Sequence, residues 1–460
     1  IAAMALNRVD ATAAVATPDA ETDIAGAAGV EQSDLVSGGA LVLRSLAGDI
    51  TLAEGDADSG TLAVQAVGNI LLQAAGTGAD ITLDADLTSS GGSISLIAAQ
   101  NIQQNADIVA SGSGNTIDLL AGNAIVMAQS AAETVTTTSN NGHIALEATL
   151  GDITLETIDA GTGNVRIIAS VGGIIDGDAA GDNEVDIIAS GLSLYAGANI
   201  GAADNHLETQ VATLSVRAGQ VNVAGSMYIS ESDGLAVETV ATSVQRVGAD
   251  AAVSAQDASQ ADLVSGFDSN GSGNIVLVSL NGPIDLKDGS SGAADQGIAG
   301  EAVKAYGSGN ILIDVRDTQL ISSHDLTLYA DVGSGSGHVT LKAADGLELK
   351  TGVDVATADP GTISLEAVAG MLTMAGGANV NAVNASLRVW AAGNVTLGNL
   401  SASNVSVGSS TGSINGASGA SKNVTAANLR LFAERAIGAG ATPLSLAVDT
   451  LSALANGNST

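Results

Sequence analysis

The amino-acid sequence predicts an all-β chain: a parallel β-helix with short loop excursions, built as two tandem units. Three observations carry this. The composition is apolar yet almost free of aromatic residues, a short phrase recurs along most of the chain, and a second period of roughly 230 residues relates its two halves.

The chain has 460 residues, 45% of them apolar but only 2% aromatic, with 58 glycines and no cysteine. Globular cores seldom manage with so few rings. Small, β-branched and Gly residues instead suit thin, regularly stacked strands. Fourteen basic residues stand against 49 acidic ones, a formal charge of −35. That balance repels phosphate backbones and excludes nucleic-acid binding as a main role. Positive mean hydropathy excludes an acidic disordered tail, and no apolar run approaches the ~18 residues of a membrane-spanning helix. The absence of cysteine fixes no compartment. The opening Ile1-Ala2-Ala3-Met4-Ala5-Leu6 carries no basic segment and long apolar core of a signal peptide, so the chain reads as a fragment or processed product.

The short phrase is Gly, then Asn or Asp, then Ile or Val, any residue, and Leu or Ile. Copies include Gly48-Asp49-Ile50-Thr51-Leu52, Gly68-Asn69-Ile70-Leu71-Leu72, Gly151-Asp152-Ile153-Thr154-Leu155, Gly309-Asn310-Ile311-Leu312-Ile313 and Gly393-Asn394-Val395-Thr396-Leu397. Looser copies such as Gly142-His143-Ile144 and Gly337-His338-Val339 put His at the second place. Gly with Asn or Asp reads as a tight corner with φ > 0. The following Ile-x-Leu reads as a short strand with one buried face, and a frequent Ala two residues later lets the chain bend. Such strands cannot bury a core singly, but they can if each stacks on its counterpart one coil later. The spacings suggest coils of ~20 residues with two or three strands, and Asn at successive corners would form amide ladders.

The long period is read from Leu192-Ser193-Leu194-Tyr195-Ala196 and Leu429-Arg430-Leu431-Phe432-Ala433, whose flanking Ile200-Gly201-Ala202 and Ile437-Gly438-Ala439, Leu207 and Leu444, and Leu214 and Leu451 keep a common offset of 237 positions. The expected units are 1–230 and 231–460. Stretches 1–32, 128–140, 235–261 and 288–304 lack the corner phrase and read as loops or excursions, with a helical turn or two over 294–305.

These phrases, and the Leu-x-Leu-x-Ala…Ile-Gly block, resemble the repeat region of filamentous haemagglutinin-like, two-partner-secreted bacterial adhesins over most of the chain. The resemblance implies a right-handed β-helix shaft on a bacterial cell surface or in extracellular filaments. That family's amino-terminal secretion domain is not recognisable here.

Candidate chemistry is sparse. His143 and His338 occupy corner places, His206 precedes Leu207, and the partner of His206 in the long repeat is Pro443. Arg44, Arg166, Arg217, Arg316 and Arg388 are isolated in alternating stretches. No nucleophile elbow, phosphate loop or Cys/His ligand set is present, so no catalytic residue is assigned. Asp176, Asp178, Asp182 and Glu184 crowd one loop with oxygen ligands suited to Ca²⁺. Against that, the equivalent stretch 414–421 has no acid, so a solvated acidic corner is the preferred reading and no metal site is assigned. Trp390 reads as a core-filling or edge residue, with an outward sugar-stacking role as the alternative. The Asn-x-Ser/Thr triplets at Asn384, Asn394, Asn404 and Asn423 read as corner residues followed by strand.

The function expected is therefore a non-enzymatic shaft segment of a surface adhesin or extracellular fibre, propagating by coaxial stacking. The alternative is a β-helical polysaccharide lyase or hydrolase. The partners expected are further copies or adjoining repeats end to end, and glycans of a host cell, a neighbouring cell or a matrix.

Overall fold

The computed structural model describes residues 4–6, 34–53, 61–128, 135–178, 184–268, 271–289, 297–318, 323–438 and 443–457. Their regular structure is strand throughout, and none is helical. Apart from Val240–Val247 and Val253–Gln260, the strands pair in parallel with counterparts in neighbouring coils, which makes the fold a parallel β-helix. Two compact units divide it: residues 1–163 with 243–257, and residues 164–242 with 258–460. A period in sequence and a division in contact density are separate properties, and the two fall at different places.

In the first unit the phrase residues line up without a slip. Ile50, Ile81, Ile102, Ile125 and Ile153 are successive partners in one ladder. A second face stacks Leu41–Ser45, Ile70–Ala74, Ile94–Ala98, Ile117–Ala121 and Ile144–Ala148. A third runs through Leu62–Ala66, Asp86–Ser89, Ile108–Ala110 and Thr136–Ser139. Each coil thus carries three short strands. Ile50, Leu52, Ile153 and Leu155 are fully buried, as are Val395 and Leu397 in the second unit. Alternation puts the first and third residues of each Ile-x-Leu inward, where stacking on the same residue types removes them from water. The small residues after the phrase, Ala74, Ala98, Ala121 and Ala148, form a buried column at the bend.

The corners work differently from the sequence expectation. The phrase glycines Gly92 and Gly142 do not have positive φ. A Cβ at either would overlap the backbone of the coil before it, Asn69 or Asn115. Glycine is needed for close approach of coils, not for a left-handed turn. The Asn or Asp beside it reaches to the next coil. Asp49 Oδ1 accepts from the Asp80 amide at 2.9 Å, Asp80 Oδ1 from the Asn101 amide at 2.8 Å, and Asn101 Oδ1 from Asn123 Nδ2 at 2.8 Å. In the second unit Asn274 Oδ1 accepts from the Asn310 amide at 3.0 Å, and Asn310 Oδ1 from the His338 amide at 2.8 Å. The expected Asn ladders are therefore mixed Asn, Asp and His ladders that cap backbone amides between coils.

Several expected loops are strands. Thr136–Ser139 lies within 128–140, and Glu301–Ala305 takes up the end of 288–304. The helical turn over 294–305 is not found: residues 301–305 are extended, and 294–296 lie outside the described residues. Val303 and Ala305 take inward places of a face already set by the coil before, Leu263–Ser265, and that pairing overrides their weak local preference.

Of stretch 235–261, Leu235–Val237 is a strand of the coil paired with Ile284–Leu286, and the remainder is an ordered excursion. Val240–Val247 and Val253–Gln260 form a separate two-stranded sheet. Its tip, 243–257, lies on the outer face of the first unit. Arg246 donates to both carboxylate oxygens of Asp118, from Nε at 2.6 Å and Nη2 at 3.0 Å. The Val247 amide donates to Ser95 Oγ at 2.9 Å, and the Gln245 amide to Thr116 Oγ1 at 2.8 Å. Outward Ser95 and Asp118 are consequently buried.

The long repeat has a conformational counterpart. Leu192 and Leu194, and their partners Leu429 and Leu431, all point inward. Gly201 and Gly438 both adopt positive φ, 59° and 64°, just after Ile200 and Ile437 form equivalent parallel bridges.

One measurement checks the register. Leu155→Asp places an unpaired charge in the ladder, and urea unfolding should show a loss of about 4 kcal/mol or more. Thr154→Asp, one residue along on the outer side, should cost less than about 1 kcal/mol.

Candidate functional site

The histidines and arginines singled out in the sequence do not converge. His338 is a corner rung, its amide bonded to Asn310 and its Nδ1 2.9 Å from Thr362 Oγ1. His206 packs beside Tyr228, and burial lowers its pKa below the usual histidine value. His324 is fully buried between Asp317 at 3.6 Å and Asp345 at 3.5 Å. Arg44 donates to Gln73, Arg217 lies 3.9 Å over the Phe267 ring, and Arg316 pairs with Asp314 at 2.9 Å. Arg166 is buried. His338, Arg44 and Arg217 each contact neighbours of their own, while the charge of Arg316 adds to the lowering at His206.

The acidic loop gives a different group from the one its local crowding suggests. Asp176 is brought together with Asp186 and Glu208, one oxygen from each lying within 4.8 Å of the others. Asp176 ends the strand Ile174–Asp176 on an inward place, Asp186 precedes Ile187–Ala196, and Glu208 lies on Leu207–Ala218. Of the other sequence candidates, Asp178 donates its amide to Asp176 Oδ1 at 2.9 Å, Glu184 is exposed, and Asp182 lies outside the described residues. Sequence proximity points to 176–184; coil closure adds Glu208 from the next coil. The missed signal is that Asp186 and Glu208 are one coil apart in register, which needs coil length to be known.

Asp176 and Asp186 are both buried. Burial and then the neighbouring Asp176 carboxylate push the Asp186 pKa up to about 9, although the Glu208 amide donates to its Oδ2 at 2.7 Å. Three converging carboxylates are the donor chemistry of a hard divalent cation, and Asp176, Asp186 and Glu208 are the residues that would hold Ca²⁺ here. Without a cation, a proton on Asp186 relieves the same repulsion. A second buried acid, Glu231, lies on the next coil. Burial pushes it up to about 8, while Thr209 donates to its Oε2 at 2.7 Å.

The second distinctive place is a groove of about 640 Å³ on the outer face of the second unit. It crosses five successive strands. Down it run Ser364, Arg388, Ser406, Arg430 and Ser452, each the register partner of the next. Beside them run Ser386, Asn404, Asn428 and Thr450, with Asn428 Nδ2 donating to Asn404 Oδ1 at 2.9 Å. Asn404 is therefore a strand residue of the groove wall, not a corner. The lining includes two arginines and no carboxylate or imidazole.

Trp390 lies beside Arg388 of the groove lining. It takes an outward place of the strand Asn379–Ala391, which corrects its reading as a core-filling residue. The inward places are already filled by Leu387, Val389 and Ala391. Its ring is stacked with Phe432, 6.3 Å between centroids and 4° between planes. Gly408 is the register partner between them, and a Cβ there would run into the Trp390 ring. Arg388 sits 5.7 Å over the indole and pairs with Glu366 at 2.9 Å.

The raised acids set a pH dependence. A folded-state pKa above the ordinary carboxylate value near 4 means the folded chain binds more protons than the unfolded one. Stability should therefore fall as pH rises from about 4 to about 9. Asp186→Asn keeps an acceptor for the Glu208 amide and removes the charge. It should raise stability by about 2 kcal/mol at pH 9 and leave it nearly unchanged at pH 4, as read by urea titration at both values. Equal effects at the two values would refute the assignment.

No family model, curated protein or solved structure matches the chain.

Proposed function

We propose that this chain is a non-enzymatic shaft segment of a bacterial cell-surface adhesin or extracellular fibre, and that it propagates by coaxial stacking of β-helical units. One observation carries the reading. Successive coils are joined by the same inward columns, such as Ile50 to Ile153, so each coil is the template for the next and the fold lengthens by adding coils. Leu214 is fully buried because Val237 of a following coil pairs with it, and Leu451, its equivalent in the long repeat, is 50% exposed on the strand Leu446–Ala455. Coaxial contacts between coils, by covalent continuation or by head-to-tail association, propagate without closing. Scattered, neighbour-bound histidines and arginines support the non-enzymatic part. The surface such a shaft meets would carry glycans of a host cell, a neighbouring cell or a matrix.

Electron microscopy of the purified chain tests the stacking. Because the chain carries a charge of −35, repulsion is strongest at low ionic strength, and ~1 M salt screens it to a few ångströms. End-to-end threads should lengthen with concentration and salt. Leu451→Lys with Ala453→Lys, both exposed and both on the inward row of that strand, should leave single particles with unchanged circular dichroism. Wild-type particles that stay single under all these conditions contradict self-association of this edge.

A further inference from the structure

We infer that the outer groove of the second unit binds a linear acidic polysaccharide carrying one carboxylate on every second sugar. The inference starts from a pattern that nothing in the core requires. Leu387-Arg388-Val389-Trp390-Ala391 and Leu429-Arg430-Leu431-Phe432-Ala433 share the order Leu, Arg, apolar, aromatic, Ala. Their Leu, Val or Leu, and Ala point inward, as on every coil. The Arg and the aromatic point outward, where the fold leaves the choice free. The coil between them, Val405-Ser406-Val407-Gly408-Ser409, has Ser and Gly at the same two places. The outward face therefore alternates coil by coil: arginine with a ring, serine with glycine, arginine with a ring.

Adjacent strands are about 4.8 Å apart, so Arg388 and Arg430 recur at about 10 Å along the groove. One sugar of a linear pyranose chain advances by close to one strand spacing. A chain lying across the strands would meet an arginine at every second sugar, and Ser406 with Asn404 and Asn428 at the sugar between. Planar guanidinium matches carboxylate two-pronged, and the amides and hydroxyls suit sugar hydroxyls. The Trp390–Phe432 stack beside Arg388 is an apolar surface where a pyranose face can rest.

Charge complementarity selects the acidic ligand over a neutral one. Two of the chain's 14 basic residues line this groove with no acid among them, on a protein of net charge −35. Arg430 donates to Ser406 Oγ at 3.3 Å and makes no ion pair among the described residues. Arg388 already pairs with Glu366, so Arg430 is the stronger anchor and Glu366 a competitor. In the long repeat Ser193 stands where Arg430 does, so the site belongs to one unit only. The inference draws on the surface-fibre reading for the source of the glycan and on nothing else from it.

Trp390 is the one tryptophan and lies beside Arg388, so its fluorescence reports on the groove. The titrant is a hexasaccharide alternating uronic acid with N-acetylhexosamine, compared with the same oligosaccharide after carboxyl reduction. The protein is the unaltered full chain at a concentration where electron microscopy shows single particles, so a failure of stacking and a failure of binding are read separately. The acidic sugar should change Trp390 emission saturably, and the reduced one should bind at least about tenfold more weakly. Arg430→Gln should weaken the acidic sugar by about tenfold, Arg44→Gln should leave it unchanged, and Glu366→Gln should tighten it several-fold. Equal binding of the two sugars, no saturable change up to millimolar sugar, or an Arg430→Gln protein that binds like its parent would each overturn the inference.

Discussion

Everything else in this molecule depends on holding one coil in register with the next. Each strand is 3 to 13 residues long and buries little by itself, so the core exists only as columns of like residues passed from coil to coil. The Ile50 to Ile153 ladder is one such column. A slip by one residue would turn every inward side chain to solvent. Backbone pairing alone would tolerate such a slip. The corner side chains do not, because Asp49, Asp80, Asn101 and their equivalents bond to a particular amide of the following coil. The phrase glycine removes the Cβ that would hold the coils apart. Glycine and Asx thus act as a pair: one permits the approach, the other fixes its place.

That division explains what was legible in the sequence. Inward residues must repeat, and so Ile153, Leu155, Val395 and Leu397 could be placed from the phrase alone. The bend alanines and the equivalence of Gly201 with Gly438 followed in the same way. The corner glycines were found for the wrong reason, since a repeated Gly-Asx looks the same whether it serves a left-handed turn or a close contact. Stretches without the phrase were illegible. Glu301–Ala305 is a strand because its neighbours impose it, and the 240–260 hairpin turns through Gly248 and Ala251 without an Asn-Gly signal. The joining of Asp176 to Asp186 and Glu208 was hidden for a related reason. Coil length varies, from 18 residues between Leu387 and Val405 to 49 between Leu235 and Ile284, so sequence distance does not say which acids meet.

The same constraint separates structure from function in this fold. Inward and corner places are committed to register, and variation accumulates on outward places. The buried acids Asp186 and Glu231 are departures from that rule, and their raised pKa values are the physical sign of it. The Arg388, Trp390, Arg430 and Phe432 set is a departure of the other kind, gained on an outward face without disturbing the ladder beneath. Gly408 shows that the ladder still accommodates it, since only a missing side chain leaves room for the indole.

The claim that corner side chains lock coil to coil is tested most directly by amide hydrogen exchange in Asn310→Ala. This change removes the acceptor of the His338 amide and leaves every inward residue in place. The account predicts faster exchange at His338 that spreads into both paired strands, Ile311–Val315 and Val339–Ala343, while the distant strand Ile94–Ala98 is unaffected. Acceleration confined to the His338 amide, with both strands protected as before, would contradict it.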